Sequence, residues 1–219
     1  MANPLEIRSL ESAYFPPAKP GSDRLLLVMH GLGDSLEGFR FLPKMLDIPG
    51  LHYLLVNAPD SYFTGFSWFD IYGVMEDGII RSRKILFELL DEVKAAGWRS
   101  EHIGVFGFSQ GCLMALDLAC RYPEAFGAVV GVSGFVGFLE EYPEKLSPAA
   151  RSQRILMTHG THDPMLPLEQ TRKQANALHG MGLKLDFRVY SKEHTIDPRQ
   201  EVDDIRAFLM KNLFGAGRK

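Results

Sequence analysis

Six short apolar runs recur along this chain of 219 residues, each stopped by glycine, proline or polar residues and separated from the next by helix-like sequence. They cover residues 25–29, 53–56, 103–106, 128–132, 154–158 and 185–190. Apolar residues over so few consecutive positions describe strands covered on both faces. Between residues 76 and 96, Ile79, Leu86, Leu90 and Val93 share one helical face, while Arg83, Lys84, Glu88 and Asp91 can face water. Further helices are expected at about 38–46, 110–122, 167–178 and 198–213. Alternating strands and helices predict an α/β domain: a mostly parallel central sheet with helices on both faces, and a ligand site beyond the carboxyl ends of the strands. Residues 5–15, closed by Pro16-Pro17, are expected to add an edge strand. Residues 215–219 are expected to fray. The length suits a single domain spanning 1–219.

Composition excludes several functions. A net charge of −3, with no run of basic residues, provides no footprint for nucleic acid. The amino terminus lacks the pattern of a secretory signal, and no segment approaches the ~18 uninterrupted apolar residues of a membrane span. A cytoplasmic protein with no integral membrane segment is expected. Its oligomeric state is not legible, and a homodimer is allowed. Cys112 and Cys120 fall eight residues apart on one expected helix, about 12 Å at ~1.5 Å per residue, too far for a disulfide.

The chemistry centres on Gly107-Phe108-Ser109-Gln110-Gly111, which sits between an expected strand and an expected helix. Gly-x-Ser-x-Gly in that context is a nucleophile elbow, a sharp turn that lifts the serine above the sheet and needs small residues on either side. A serine hydroxyl is a weak nucleophile until a base takes its proton, and that base must be oriented by an acid. On this architecture the chain order is serine, acid, histidine. Asp163 ends a strand within His159-Gly160-Thr161-His162-Asp163-Pro164, and His194 stands just past the strand expected at 185–190. They are the expected acid and base. Asp197 precedes Pro198 and reads as a helix cap instead.

The other histidines invite structural readings. His30 and His159 precede glycines at strand ends, where an imidazole can brace a loop, and His162 neighbours the acid. The cluster of His159, His162 and Asp163 lacks the spacing of a metal site, so no metal or other cofactor is expected. Backbone amides of Gln110 and of Leu32, in the glycine loop His30-Gly31-Leu32-Gly33-Asp34, are the expected oxyanion donors.

Taken together, His30-Gly31-Leu32-Gly33-Asp34, Ser67-Trp68-Phe69-Asp70, the elbow and His159-Gly160-Thr161-His162-Asp163-Pro164 resemble the carboxylesterase and acyl-protein thioesterase group of α/β-hydrolases. The resemblance spans about residues 25–213. It implies an α/β-hydrolase fold and a Ser109, Asp163, His194 triad, with Leu32 and Gln110 at the oxyanion. It also implies an esterase, thioesterase or lysophospholipase acting on a small-molecule or lipid ester. The chain has no insertion long enough for a separate lid domain, so loops must build the acyl pocket. Residues 62–69 are the expected wall, with Phe66, Trp68 and Met165 against substrate.

Two positions depart from the family pattern. Cys112 replaces a second glycine after the elbow, and Lys192-Glu193 replaces small or apolar residues before the base. Glu193 is expected to raise the pKa of His194 or to alter access by bulky substrates. A non-catalytic binding homologue is the alternative of a different class, although such proteins typically lack a triad member.

Overall fold

The computed structural model describes residues 5–18 and 21–215. The expected fraying at 216–219 lies outside them. In chain order the elements are β1 (Ser12–Phe15), β2 (Arg24–Met29), α1 (Leu42–Leu46), β3 (Leu51–Val56), β4 (Asp60–Tyr62), β5 (Gly65–Ser67), α2 (Met75–Ala95), β6 (Ile103–Phe108), α3 (Gln110–Arg121), β7 (Ala128–Val132), α4 (Tyr142–Lys145), β8 (Arg154–Gly160), α5 (Leu168–Gly180), β9 (Lys184–Tyr190) and α6 (Gln200–Leu209).

Seven strands form one sheet in the order β1-β3-β2-β6-β7-β8-β9. Only β1 is antiparallel, pairing with β3 at the edge as residues 5–15 suggested. Side chains alternate across β2: Leu25, Leu27 and Met29 join a core with α2, α3 and α5, while Leu26 and Val28 join a second core with α1 and α6. Helices therefore cover both faces. No helix among the described residues is long and apolar enough to cross a membrane.

Three local features differ from the sequence expectation. The helix expected at 38–46 is split into a 3-10 turn, Glu37–Phe39, and α1, whose first turn holds Pro43. The last helix starts at Gln200 and loosens into a π-helical turn over Met210–Phe214. The stretch 62–69, expected as a loop wall, lies partly in a two-stranded hairpin of β4 and β5.

Sheet topology positions the site. From β2 the chain moves one way to β3, and later returns to β6 on the other side of β2. Loops leaving two such neighbouring strands diverge and open a crevice at their carboxyl ends. Met29 is paired with Gly107, so the loop after β2 and the turn after β6 begin side by side.

Candidate active site

Ser109 sits between β6 and α3 with φ 54° and ψ −114°, a strained conformation for a residue with a side chain. Its amide donates to the Val132 carbonyl at 2.9 Å, and its own carbonyl accepts from Cys112 N–H at 3.0 Å. Both flanking glycines are sterically required. A Cβ on Gly107 would lie 2.0 Å from the Gly111 carbonyl oxygen, and one on Gly111 would lie 2.3 Å from that of Met29.

Asp163 and His194, the expected acid and base, arrive on loops after β8 and β9, which pair in parallel with Gly160 opposite Tyr190. His194 Nδ1 lies 2.8 Å from Asp163 Oδ2, and His194 Nε2 lies 2.9 Å from Ser109 Oγ. A neutral imidazole protonated on Nδ1 donates to the carboxylate and accepts from the hydroxyl. The Asp163 carboxylate is buried, and its other oxygen accepts backbone N–H bonds from Met165 at 2.9 Å and Leu166 at 3.0 Å. Burial opposes its ionisation, but the His194 bond and the two amides win and hold its pKa below the ordinary carboxylate value. Asp163 is thus a fixed anion facing Nδ1.

The loop after β2 comes close to Ser109: a Cβ on Gly31 would lie 3.1 Å from Ser109 Cβ. His30 braces this loop. Its Nδ1 lies 2.6 Å from the Gly31 carbonyl and donates to it, so its Nε2 accepts the Ala58 amide at 3.0 Å. Burial lowers the His30 pKa, in keeping with a neutral ring. Gly33 N–H donates to the Phe66 carbonyl and Phe66 N–H to that of Asp34, each at 2.9 Å, tying the loop to β5. Among the described residues, the Leu32 amide meets no protein acceptor. Gln110 opens α3, where a first-turn amide has no partner within the helix. Two donors are left beside Ser109.

The Gln110 side chain has a role that sequence reading missed. Its Oε1 accepts from Trp68 N–H at 2.9 Å and from the Ser67 hydroxyl at 3.3 Å, and its Nε2 donates to the Phe69 carbonyl at 2.9 Å. Trp68 in turn donates its indole N–H to the His30 carbonyl at 2.9 Å. The Ser67-Trp68-Phe69 stretch is therefore a strut between the elbow and the glycine loop. Trp68 is wholly buried, which corrects the expectation that it lines the substrate groove. Phe66 is half-buried near His30, with ring centroids 6.3 Å apart. Met165 is 69% exposed on the acid loop.

An apolar cavity of about 410 Å³ lies against His194, lined by Phe39, Phe41, Met45, Phe108 and Ile196, with Asp34 at its edge. Phe41, Phe39, Phe108 and His194 form a row of tilted rings with successive centroids 5.6, 6.1 and 5.1 Å apart. This wall was also missed. The one available signal was Phe39-Arg40-Phe41 soon after the glycine loop, and its helical pattern suggested core packing.

The two departures resolve differently. Cys112 is buried against Gly131 and Gly134, where a Cβ on Gly134 would lie 2.3 Å from that of Cys112; glycines across the contact make room for the added side chain. Glu193 is exposed and makes no hydrogen bond or ion pair with His194, whose carboxylate partner is Asp163. Lys192, not Glu193, turns inward. Asp197 is not the cap it was expected to be, because the helix starts at Gln200 with Arg199 at its N-cap position and no side-chain cap bond; two residues earlier, Asp197 accepts from Arg199 N–H at 3.1 Å and donates its own N–H to Glu201 at 2.7 Å.

A parallel sheet with a serine on a strained strand-to-helix turn, and an acid and histidine from later strand ends, defines an α/β-hydrolase. The chain belongs to the phospholipase/carboxylesterase family, which it matches over residues 15–213. It is 35% identical over 155 residues to acyl-protein thioesterase 1 of Schizosaccharomyces pombe, covering 65% of this chain and 69% of the relative. A rice protein, Oryza sativa subsp. japonica, named as a probable inactive carboxylesterase is 26% identical over 90% of this chain and 87% of its own. In fold, the crystal structure of SOBER1 from Arabidopsis thaliana superposes with a TM-score of 0.80 at 24% identity, covering 87% of this chain and 99% of that one.

Proposed function

We propose that the chain hydrolyses carboxylic esters or thioesters through an acyl-enzyme on Ser109. The reading is carried by the hydrogen-bonded series Asp163, His194, Ser109, with links of 2.8 and 2.9 Å. His194 Nε2 takes the hydroxyl proton as Oγ attacks the acyl carbonyl, and Asp163 stabilises the imidazolium that forms. The Leu32 and Gln110 amides receive the charge that develops on the carbonyl oxygen. His194 then protonates the departing alcohol or thiol, and water activated by the same ring releases the acid. Phe66 and Met165 remain candidates for contact with the acyl group. Because the leaving group collects its proton from His194, the apolar cavity against that ring suits an apolar leaving-group substituent.

Ser109→Ala should lower hydrolysis of short p-nitrophenyl esters by about 10⁴-fold or more with the fold intact. Full retained activity would overturn the assignment. The rice relative's name gives a specific reason to test a non-catalytic binder. A fluorophosphonate probe decides between them: covalent labelling of Ser109 supports the hydrolase, and no labelling of folded protein supports the binder. Matched ester and thioester series of increasing acyl length then separate esterase, thioesterase and lysophospholipase.

A further inference from the structure

Two residues before the base, Lys192 carries a buried ammonium, its side chain 3% exposed. Its Nζ donates to the Ser133 hydroxyl at 3.0 Å, to the Thr195 carbonyl at 2.7 Å and to Glu201 Oε1 at 2.6 Å. All three ammonium protons are used. Burial lowers the Lys192 pKa from its ordinary value while Glu201 opposes that shift. A buried charge so placed is costly unless its partners are held in good geometry, and here they are.

Each partner belongs to a different part of the site. Thr195 directly follows His194. Glu201, on α6, also accepts the Asp197 amide at 2.7 Å, so the ion pair closes the base loop into a ring. Ser133 follows Val132, whose carbonyl holds the Ser109 amide at 2.9 Å, so the ammonium is also tied to the strand end beneath the elbow. At the other end of the residue, the Lys192 carbonyl accepts the His162 amide at 3.0 Å, next to Asp163. One residue therefore joins the loops that carry all three members of the hydrogen-bonded series.

We infer that Lys192 is a positioning residue, whose ammonium fixes the His194 loop against the Ser133 turn and α6 so that the imidazole stays in register with both Ser109 and Asp163. The inference rests on the catalytic reading proposed above. It does not follow from the elbow, acid and base themselves, because it concerns a side chain that touches none of the reacting atoms.

The test compares kcat, KM and melting temperature in Lys192→Met and in Lys192→Met/Glu201→Gln. The single variant leaves Glu201 buried without its partner and is expected to lose stability. The double variant removes both charges, while the carbonyl of the introduced side-chain amide keeps an acceptor for the Asp197 N–H. Its melting temperature should recover toward wild type, its kcat on a p-nitrophenyl ester should stay about 10- to 100-fold low, and KM should change by no more than about threefold, because a small displacement of a base costs rate rather than binding. The downfield proton resonance of the His194 Nδ1–H to Asp163 bond should be lost or broadened in the same protein. Recovery of kcat together with stability would overturn the inference, as would a change confined to KM or an unchanged Nδ1 resonance beside a low kcat. Ser109→Ala run in parallel separates the two readings. If it stays fully active the proposed function fails, and if it is inactive while the double variant has wild-type kcat only the role of Lys192 fails.

Discussion

Cys112 shows how one residue is decided by its neighbours. Its thiol and methylene are packed against two glycines, and burial pushes the thiol pKa up to about 12; Cys120, on the same helix, is raised to about 12 by the same cause. A thiolate is the reactive form, so both should be inert in the folded protein. Ellman's reagent under mildly alkaline native conditions should find no fast thiol, and should find both after unfolding in guanidinium. A thiol that reacts within seconds in the folded state would contradict the packing described. Gln110 makes a related point. Its backbone was expected at the oxyanion from motif logic alone, whereas its side-chain bonds to residues 67–69 depend on a hairpin that no local pattern announced.

At the scale of elements, α3 does more than present Ser109. All of its residues from Gln110 to Cys120 are buried, including Asp117, which accepts from Arg83 of α2 at 2.6 and 2.9 Å and from the Tyr142 hydroxyl of α4 at 3.2 Å. This bidentate pair staples α2 and α4 to the helix behind the elbow. Asp117→Ala strands a largely buried guanidinium, and breaking such a pair typically costs about 3–5 kcal/mol. A fall in melting temperature of roughly 6–20 °C is expected at this chain length, with a smaller fall for Asp117→Asn. Thermal unfolding followed by circular dichroism checks it; an unchanged melting temperature would show that the pair contributes nothing net. Sequence periodicity placed Arg83 toward water, because amphipathic patterns treat every charge as solvent-facing and cannot anticipate a buried acid on a neighbouring helix.

For the whole molecule, pH is a readout of how the buried site groups are held. Burial lowers the pKa of His30 and His159 from the ordinary value of 6.5. Below about pH 6.5 the unfolded chain therefore binds more protons than the folded one, and stability falls as pH drops toward the folded values. Asp163 acts lower down. Its depressed pKa contributes stability that is present above the unfolded value of about 3.9 and is lost as pH falls through its folded value. Scanning calorimetry should show a melting temperature that is highest between about pH 7 and 8, declines below about 6.5 and falls again below about 4. A level profile from about pH 7 to 5 would contradict the neutral, buried imidazoles.

The order of strands and helices and the elbow were legible in the sequence because each depends on residues close together in the chain, whereas Asp163 and His194 were indicated only by their order after Ser109 and their places past strand ends. Apolar runs describe strands, and glycines at 107 and 111 describe a turn that excludes a Cβ. Tertiary structure alone decided which side chains those loops bring together. Trp68 is a strut and not a wall, Phe39 and Phe41 border the cavity against His194, and Lys192 faces inward while Glu193 faces water. The reason is physical: the partners are remote from one another in the chain, and which of two adjacent loop residues is buried depends on an ion pair, a glycine or a strand end supplied from elsewhere in the fold.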